Sequence, residues 1–293
     1  MSLGFYRLIK GRLIVRERQS PDGDSMRFIA DDMSLFEGLP RFSRPSEAGG
    51  VESYQLRFQA IDTPELHYGG AAQPHGLESR NGLLEWLGVD PSKWDWAVAP
   101  SGFSWEKKAA ILCDGFEGHG RPIAFVLREL DAEDGSDVKL TKSLLADTYN
   151  YSATNTGLAY LGIYSGGLSF EIQSSFIAAY RKARASKLGI WKLDRTRRFT
   201  VSTLDDIGPE QGSLIYPKIF RRCVDALRWV GGEFEPGRDV DDFLADSPKE
   251  NDQFIVHATH GGQLKSRLSD VLEQVNNQIR IEVDFNTVEF VSK

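Results

Sequence analysis

The stretch Arg57-Phe58-Gln59-Ala60-Ile61-Asp62-Thr63-Pro64-Glu65 decides how this chain is read. Apolar residues at Leu56, Phe58 and Ala60 alternate as they do in a strand. Asp-Thr-Pro-Glu then ends the strand, because proline lacks the amide a sheet ladder needs and restricts the residue before it. The break leaves a cation, two carboxylates and a hydroxyl at one strand end. Those groups suit gripping a phosphate, holding a hard metal ion and positioning a water. They equally suit a strand that leads into a helix, with Asp62 or Thr63 as the cap and Glu65 in the first turn.

Two further pieces bear on that choice. Upstream lies Asp22-Gly23-Asp24-Ser25, in which glycine permits a tight turn that exposes the Asp24 carboxylate; taken alone it is also an ordinary hairpin turn. Downstream lies Gly118-His119-Gly120-Arg121-Pro122, where glycines let the backbone approach a ligand and Arg121 offers a bidentate fork for phosphate. By itself that arginine reads as well as a solvated side chain.

The surrounding pattern places these pieces on a β-rich frame. Residues 5–18 alternate imperfectly as a long strand, Ser25–Ala30 starts a second, and Val51–Ile61 forms a third after a polar loop over 31–52. Gly76–Leu87 suits an amphipathic helix. Ala109–Cys113 and Pro122–Leu127 read as two more strands. Leu140–Asp147 reads as a short helix and Ile172–Leu188 as a longer one stopped by Gly189. Five strands, one helix between the third and fourth, and helices at the end suit a small closed β-barrel of the OB type.

The order and spacing of the three pieces resemble the staphylococcal nuclease (thermonuclease) family over about residues 5–194. That family shows an Asp-Gly-Asp turn, Arg-x-x-x-x-Asp-Thr-Pro-Glu, and Gly-Arg before the last barrel strand. Here these are Asp22-Gly23-Asp24, Arg57 to Glu65, and Gly120-Arg121. The helix start at Gln73 and Gly76 and the ending Lys187-Leu188-Gly189-Ile190-Trp191 are similar too. The resemblance implies that Asp24, Asp62 and the backbone carbonyl of Thr63 hold one Ca2+. It implies that Glu65 orients or deprotonates the attacking water and that Arg57 and Arg121 clamp the phosphate. Hard oxygen ligands suit calcium, and a phosphodiester under attack needs its charge neutralised. The chain departs from the family in its long 31–52 loop, in Ser25 where threonine is usual, and in His119 where tyrosine is common. Tyr149, Tyr151, Tyr160 and Tyr164 lie where the family keeps aromatics for the base, and serve stacking or packing.

Composition is consistent with a soluble protein: 41% hydrophobic, 26% charged, formal net charge −7. Residues 1–194 carry 22 basic and 25 acidic side chains, and the remainder 13 and 17, so neither part is a basic module for gripping duplex DNA. Cys113 and Cys223 are far apart and match no metal or redox spacing. The five histidines show no metal-ligand spacing, His257-Ala258-Thr259-His260 included. Met1–Lys10 has neither the apolar core nor the small-residue cleavage site of a signal peptide, which makes the cytoplasm the default, and no apolar run approaches a membrane span.

After Trp191 a second, α+β region is expected over 195–293. It has a strand near Phe199–Thr203, an amphipathic helix over Ile215–Val230, an acidic loop over 231–253, a helix over Leu264–Val275 and alternation at Ile279–Val283. It is the part left to serve a protein partner or self-association. The expectation is thus an α+β chain: an OB-type nuclease domain over 1–194 and a small C-terminal domain over 195–293. The activity expected is a calcium-dependent nuclease acting on DNA and RNA, with single strands favoured. The alternative is a non-catalytic nucleic-acid-binding or protein-interaction scaffold on the same frame.

Overall fold

The computed structural model describes residues 4–235, 238–257 and 262–291. The chain runs β1 (Phe5–Arg16), β2 (Arg27–Ala30), β3 (Ser46–Ala48), β4 (Val51–Gln55), β5 (Arg57–Phe58), β6 (Ala60–Asp62), α1 (Gly76–Trp86), β7 (Ser104–Phe116) and β8 (Pro122–Leu127). There follow β9 (Asp137–Lys139), α2 (Lys142–Ala146), α3 (Tyr149–Thr156), β10 (Tyr160–Gly162) and α4 (Phe170–Ala185). The rest is β11 (Arg198–Thr200), α5 (Pro217–Val230), α6 (Val240–Asp246), β12 (Gln253–His257), β13 (Gln263–Arg267), β14 (Leu272–Val275), β15 (Gln278–Ile281) and β16 (Val288–Phe290).

The main sheet has the order β3-β4-β2-β1-β7-β8-β5, with β9 also paired to the start of β1, and it curls into a half-barrel where a closed barrel was expected. Its pairings are antiparallel except β5 with β8, which run parallel in the register Arg57↔Ile123 and Phe58↔Ala124. Leu8, Leu13, Phe28, Ile111, Leu112 and Phe125, all on strands of this sheet, are fully buried, each contributing about 1.5–3 kcal/mol by leaving water. Two three-stranded sheets, β11-β15-β14 and β13-β12-β16, complete an α+β fold with six α-helices among the described residues. One buried cluster runs from Tyr6 to Phe290, so the segments before and after Asp194 share packing.

Several expectations change. The third strand is broken into β4, β5 and β6, because Leu56 stands between two pairings and Ala60 adopts φ +67°. The 31–52 loop contains a 3-10 turn at Met33–Phe36 and the strand β3, paired with β4. The long helix starts at a Ser169 cap and ends at Ser186, before Gly189. The helix expected over Leu264–Val275 is instead β13, a 3-10 turn and β14; Leu264 and Val275 are 67% and 58% exposed, so no apolar helical face turns inward there. The acidic segment 231–253 contains α6, whose Asp239 accepts from the Asp241 and Asp242 amides. Carboxylates read as solvated loop are the cap of a helix start. Both cysteines are free and buried. Among the described residues no helix is long and apolar enough to cross a membrane.

Candidate active site

Strand β5 leaves the main sheet after Phe58, and Asn150 from α3 takes the place of the next strand residue. Its side-chain oxygen accepts from the Val126 amide at 2.9 Å, and its Nδ2 donates to the carbonyls of Gln59 at 2.8 Å and Ala124 at 3.0 Å. With Asn150 holding that kink, β6 turns to pair with β10 (Asp62↔Tyr160), which sets Asp62 and Thr63 in the interior, each 2% exposed.

The Asp22–Ser25 turn is drawn onto the same end of the sheet, where the Asp24 carbonyl accepts from the Phe58 amide at 3.0 Å. Gly23 is required here by close approach: a Cβ would stand 2.9 Å from both Thr63 Oγ1 and Ser79 Cβ. Its φ is not in the left-handed region, so contact with Thr63, more than turn geometry, excludes a side chain. Glu65 is fixed from the other side. Its amide donates to Gln73 Oε1 at 3.0 Å and its carbonyl accepts from the Gln73 amide at 2.7 Å. A Cβ on Gly76 would meet that carbonyl at 2.7 Å. The Gln73 and Gly76 signature is therefore a cradle for the Glu65 backbone.

Asp24, Arg57, Asp62, Thr63 and Glu65 thus come together. Arg57 Nη1 donates to Asp24 Oδ2, and Arg57 Nη2 lies 3.2 Å from Asp62 Oδ1. A second guanidinium, which the sequence reading did not single out, enters from α5. Arg221 Nη2 donates to Asp62 Oδ2 at 2.8 Å, and Nη1 donates to Asp62 Oδ1 at 3.3 Å and to Glu65 Oε1. Burial favours a raised carboxyl at Asp62, but Arg221 and Arg57 outweigh it and hold the group at about 2. At Glu65 burial wins, aided by Asp62 and Asp24 against the pull of Arg221, and the carboxyl is raised. Burial, then Asp24 and Glu65, push Asp22 well above the usual carboxylate range.

Arg121 is not hydrogen-bonded into this cluster. Its Nε donates to Glu117 Oε1 at 3.0 Å, and Glu117 also accepts from the Arg121 and His119 amides. Arg121 does line a cleft of about 580 Å³ that Arg57 also lines, together with Arg41, His119, Tyr164, Lys218 and Arg222. The cleft walls therefore carry five cationic side chains. Asp24, Asp62 and Glu65 are not among the lining residues; Arg57 is the side chain shared by cleft and carboxylates. Asp114 is also on the cleft wall, and burial raises its carboxyl to about 6.

Of the four tyrosines, Tyr149 and Tyr160 are fully buried, packed on Phe58 and Trp86 and on Trp191 and Tyr216 respectively. Tyr151 packs edge-on to Phe176. Tyr164 lines the cleft. Burial there favours its neutral form, but Lys218 and Arg57 outweigh it and lower the phenol. His257 pairs with Glu289 at 2.9 Å, and His260 lies outside the described residues.

Lys218, Arg221 and Arg222 were legible only as the polar positions of an amphipathic helix. Their i, i+3, i+4 spacing places all three on one face of α5, and Pro217 at the first turn and Gly231 past the last set its limits. Among the described residues no three His, Cys, Asp or Glu side chains form a ready-made metal group. The donor chemistry nevertheless fits a hard cation: Asp24 and Asp62 offer carboxylate oxygens, and the buried Thr63 Oγ1 beside them has no hydrogen-bond partner among the described residues. Comparison with protein-family models matches none, and no curated protein matches the chain.

Proposed function

We propose that the chain is a metal-dependent phosphodiesterase acting on DNA and RNA, with unpaired strands favoured. The observation that carries this reading is the convergence of Asp24, Arg57, Asp62 and Glu65 at one strand end, next to a cleft lined by Arg57 and Arg121. Arg57 and Arg121 bind the phosphate and stabilise its developing charge. Glu65, held by Gln73, takes or orients the proton of the attacking water. Asp24, Asp62 and the Thr63 carbonyl would hold a calcium ion, which when bound supplies positive charge beside the phosphate. A flexible single strand reaches a recessed site more readily than a duplex, and the net charge of −7 opposes broad binding of duplex backbone.

We propose an OB-type relationship for this half-barrel sheet, and the pairings favour it. Val51–Phe58, taken as one strand interrupted at Leu56, pairs with β2 at one end and with β8 at the other. The resemblance to the staphylococcal nuclease family rests on the same residues and on Gln73 and Gly76, whose contacts to Glu65 give it a physical basis.

A second reading, a non-catalytic binding scaffold, is favoured by one observation: Arg221 already occupies Glu65 and Asp62. Hydrolysis of heat-denatured DNA and of RNA, with calcium and with chelator, separates the two. Catalysis predicts cleavage that requires calcium, is lost in Asp24→Ala, and falls at least about a hundredfold in Glu65→Gln with the fold intact. Binding of single strands without cleavage by any form favours the scaffold, and an unchanged rate in Glu65→Gln refutes the role of Glu65.

A further inference from the structure

Three carboxylates, Asp24, Asp62 and Glu65, face two guanidiniums, Arg57 and Arg221, which leaves one formal negative charge; without Arg221 there would be two. The Arg221 fork spans Asp62 and Glu65, using both oxygens of Asp62. The side chains of Asp62 and Glu65 are only 3% and 12% exposed, so solvent screens little of this attraction. We infer that Arg221, while it holds Glu65, is a resident cation that competes with a divalent ion for Asp62, and that the C-terminal region thereby sets the metal affinity of the site. The inference rests on the reading of Asp24, Asp62 and the Thr63 carbonyl as ion-holding groups.

The helix that carries Arg221 is tied down and is not a loose cover. Gln73 Nε2 donates to the Ile215 carbonyl at 2.8 Å, Tyr216 Oη donates to the Leu161 carbonyl at 2.7 Å, and Tyr68 Oη donates to Asp225 at 2.8 Å. Gln73 thus links the Glu65 cradle directly to the residue before Tyr216, so the guanidinium is delivered by the same groups that orient Glu65. A bidentate guanidinium and a divalent ion both draw on the two carboxylate oxygens of Asp62, which Arg221 already occupies. Each must weaken the other, because two cations sharing one carboxylate repel at close range.

The test is titration of calcium into the 293-residue chain without nucleic acid, followed by calorimetry, for wild type, Arg221→Gln and Arg221→Lys. Arg221→Gln is expected to bind calcium at least about tenfold more tightly than wild type. Arg221→Lys, which keeps the charge but cannot bridge both carboxylates as a planar fork, is expected between them. Equal affinities in all three, or calcium binding by none, overturns the inference. Should circular dichroism show Arg221→Gln unfolded, the comparison of Arg221→Lys with wild type decides in the same way. The two readings fail separately: a gain in calcium affinity without hydrolysis by any form leaves the competition standing and removes the phosphodiesterase. Calcium-dependent hydrolysis with unchanged affinities does the reverse.

Discussion

Asn150→Ala isolates the device that positions the site. The native side chain is fully buried and makes three hydrogen bonds of 2.8–3.0 Å to the backbone where β5 leaves the sheet. The Ala124 carbonyl keeps a second donor, the Gln59 amide at 2.8 Å, so two groups lose their Asn150 partner: the Val126 amide and the Gln59 carbonyl. A buried polar group left unsatisfied costs about 1–3 kcal/mol, so the expected loss for two is roughly 2–6 kcal/mol. Ala60, held at φ +67°, adds to the sensitivity, since a non-glycine residue in that region is itself costly by about 1–2 kcal/mol. Equilibrium urea unfolding followed by tryptophan fluorescence measures the loss. Asn150→Asp is the informative partner, because it retains the acceptor for Val126 but faces the Gln59 and Ala124 carbonyls with a second acceptor. It is expected to lose a comparable amount. A cost below about 1 kcal/mol for Asn150→Ala would refute the argument that this side chain replaces a missing strand.

The other expectations concern charge. Asp62 is held at about 2 in the folded protein against an ordinary value of 3.8, so its stabilising contribution is complete above 3.8 and is lost as pH falls toward 2; the magnitude is on the order of 2 kcal/mol, readable in acid unfolding of wild type against Asp62→Asn. Glu65 has the opposite sign, since its raised carboxyl favours the folded state as pH falls. If Glu65 acts as the base, the acid limb of the pH–rate profile lies above the ordinary value of 4.5, and a limb at or below that value rejects the assignment. Arg57→Ala leaves Asp24 and Asp62 without one cation and is expected to destabilise the fold by about 3–5 kcal/mol. Arg121, partly exposed and paired among the described residues with Glu117, is expected as Arg121→Ala to leave the unfolding free energy within about 0.5 kcal/mol of wild type while hydrolysis falls. Equal stability losses in the two variants would show that they do not differ in this way.

What the sequence by itself determined is local. Imperfect period-two alternation specified β1 and the apolar run after Pro122 specified β8, the 3.6-residue pattern specified α1 and α5 to within two residues, and the Asp-Thr-Pro-Glu break marked the strand end that carries Asp62 and Glu65. These follow from neighbouring residues, because strand and helix periodicity and the missing proline amide act over a few positions. Periodicity failed where apolar residues face solvent, as at Leu264 and Val275, and where carboxylates cap a helix, as at Asp239. Tertiary structure alone decided the contacts that define the site. Asn150 fills a gap in the sheet ladder 91 residues from Gln59, and Arg221 reaches Asp62 across 159 residues. No local pattern encodes either contact, since a hydrogen bond or ion pair of this kind depends on where two distant backbones are brought together. The sequence supplied the carboxylates; the packing of α5 on the strand end decided which cation they hold.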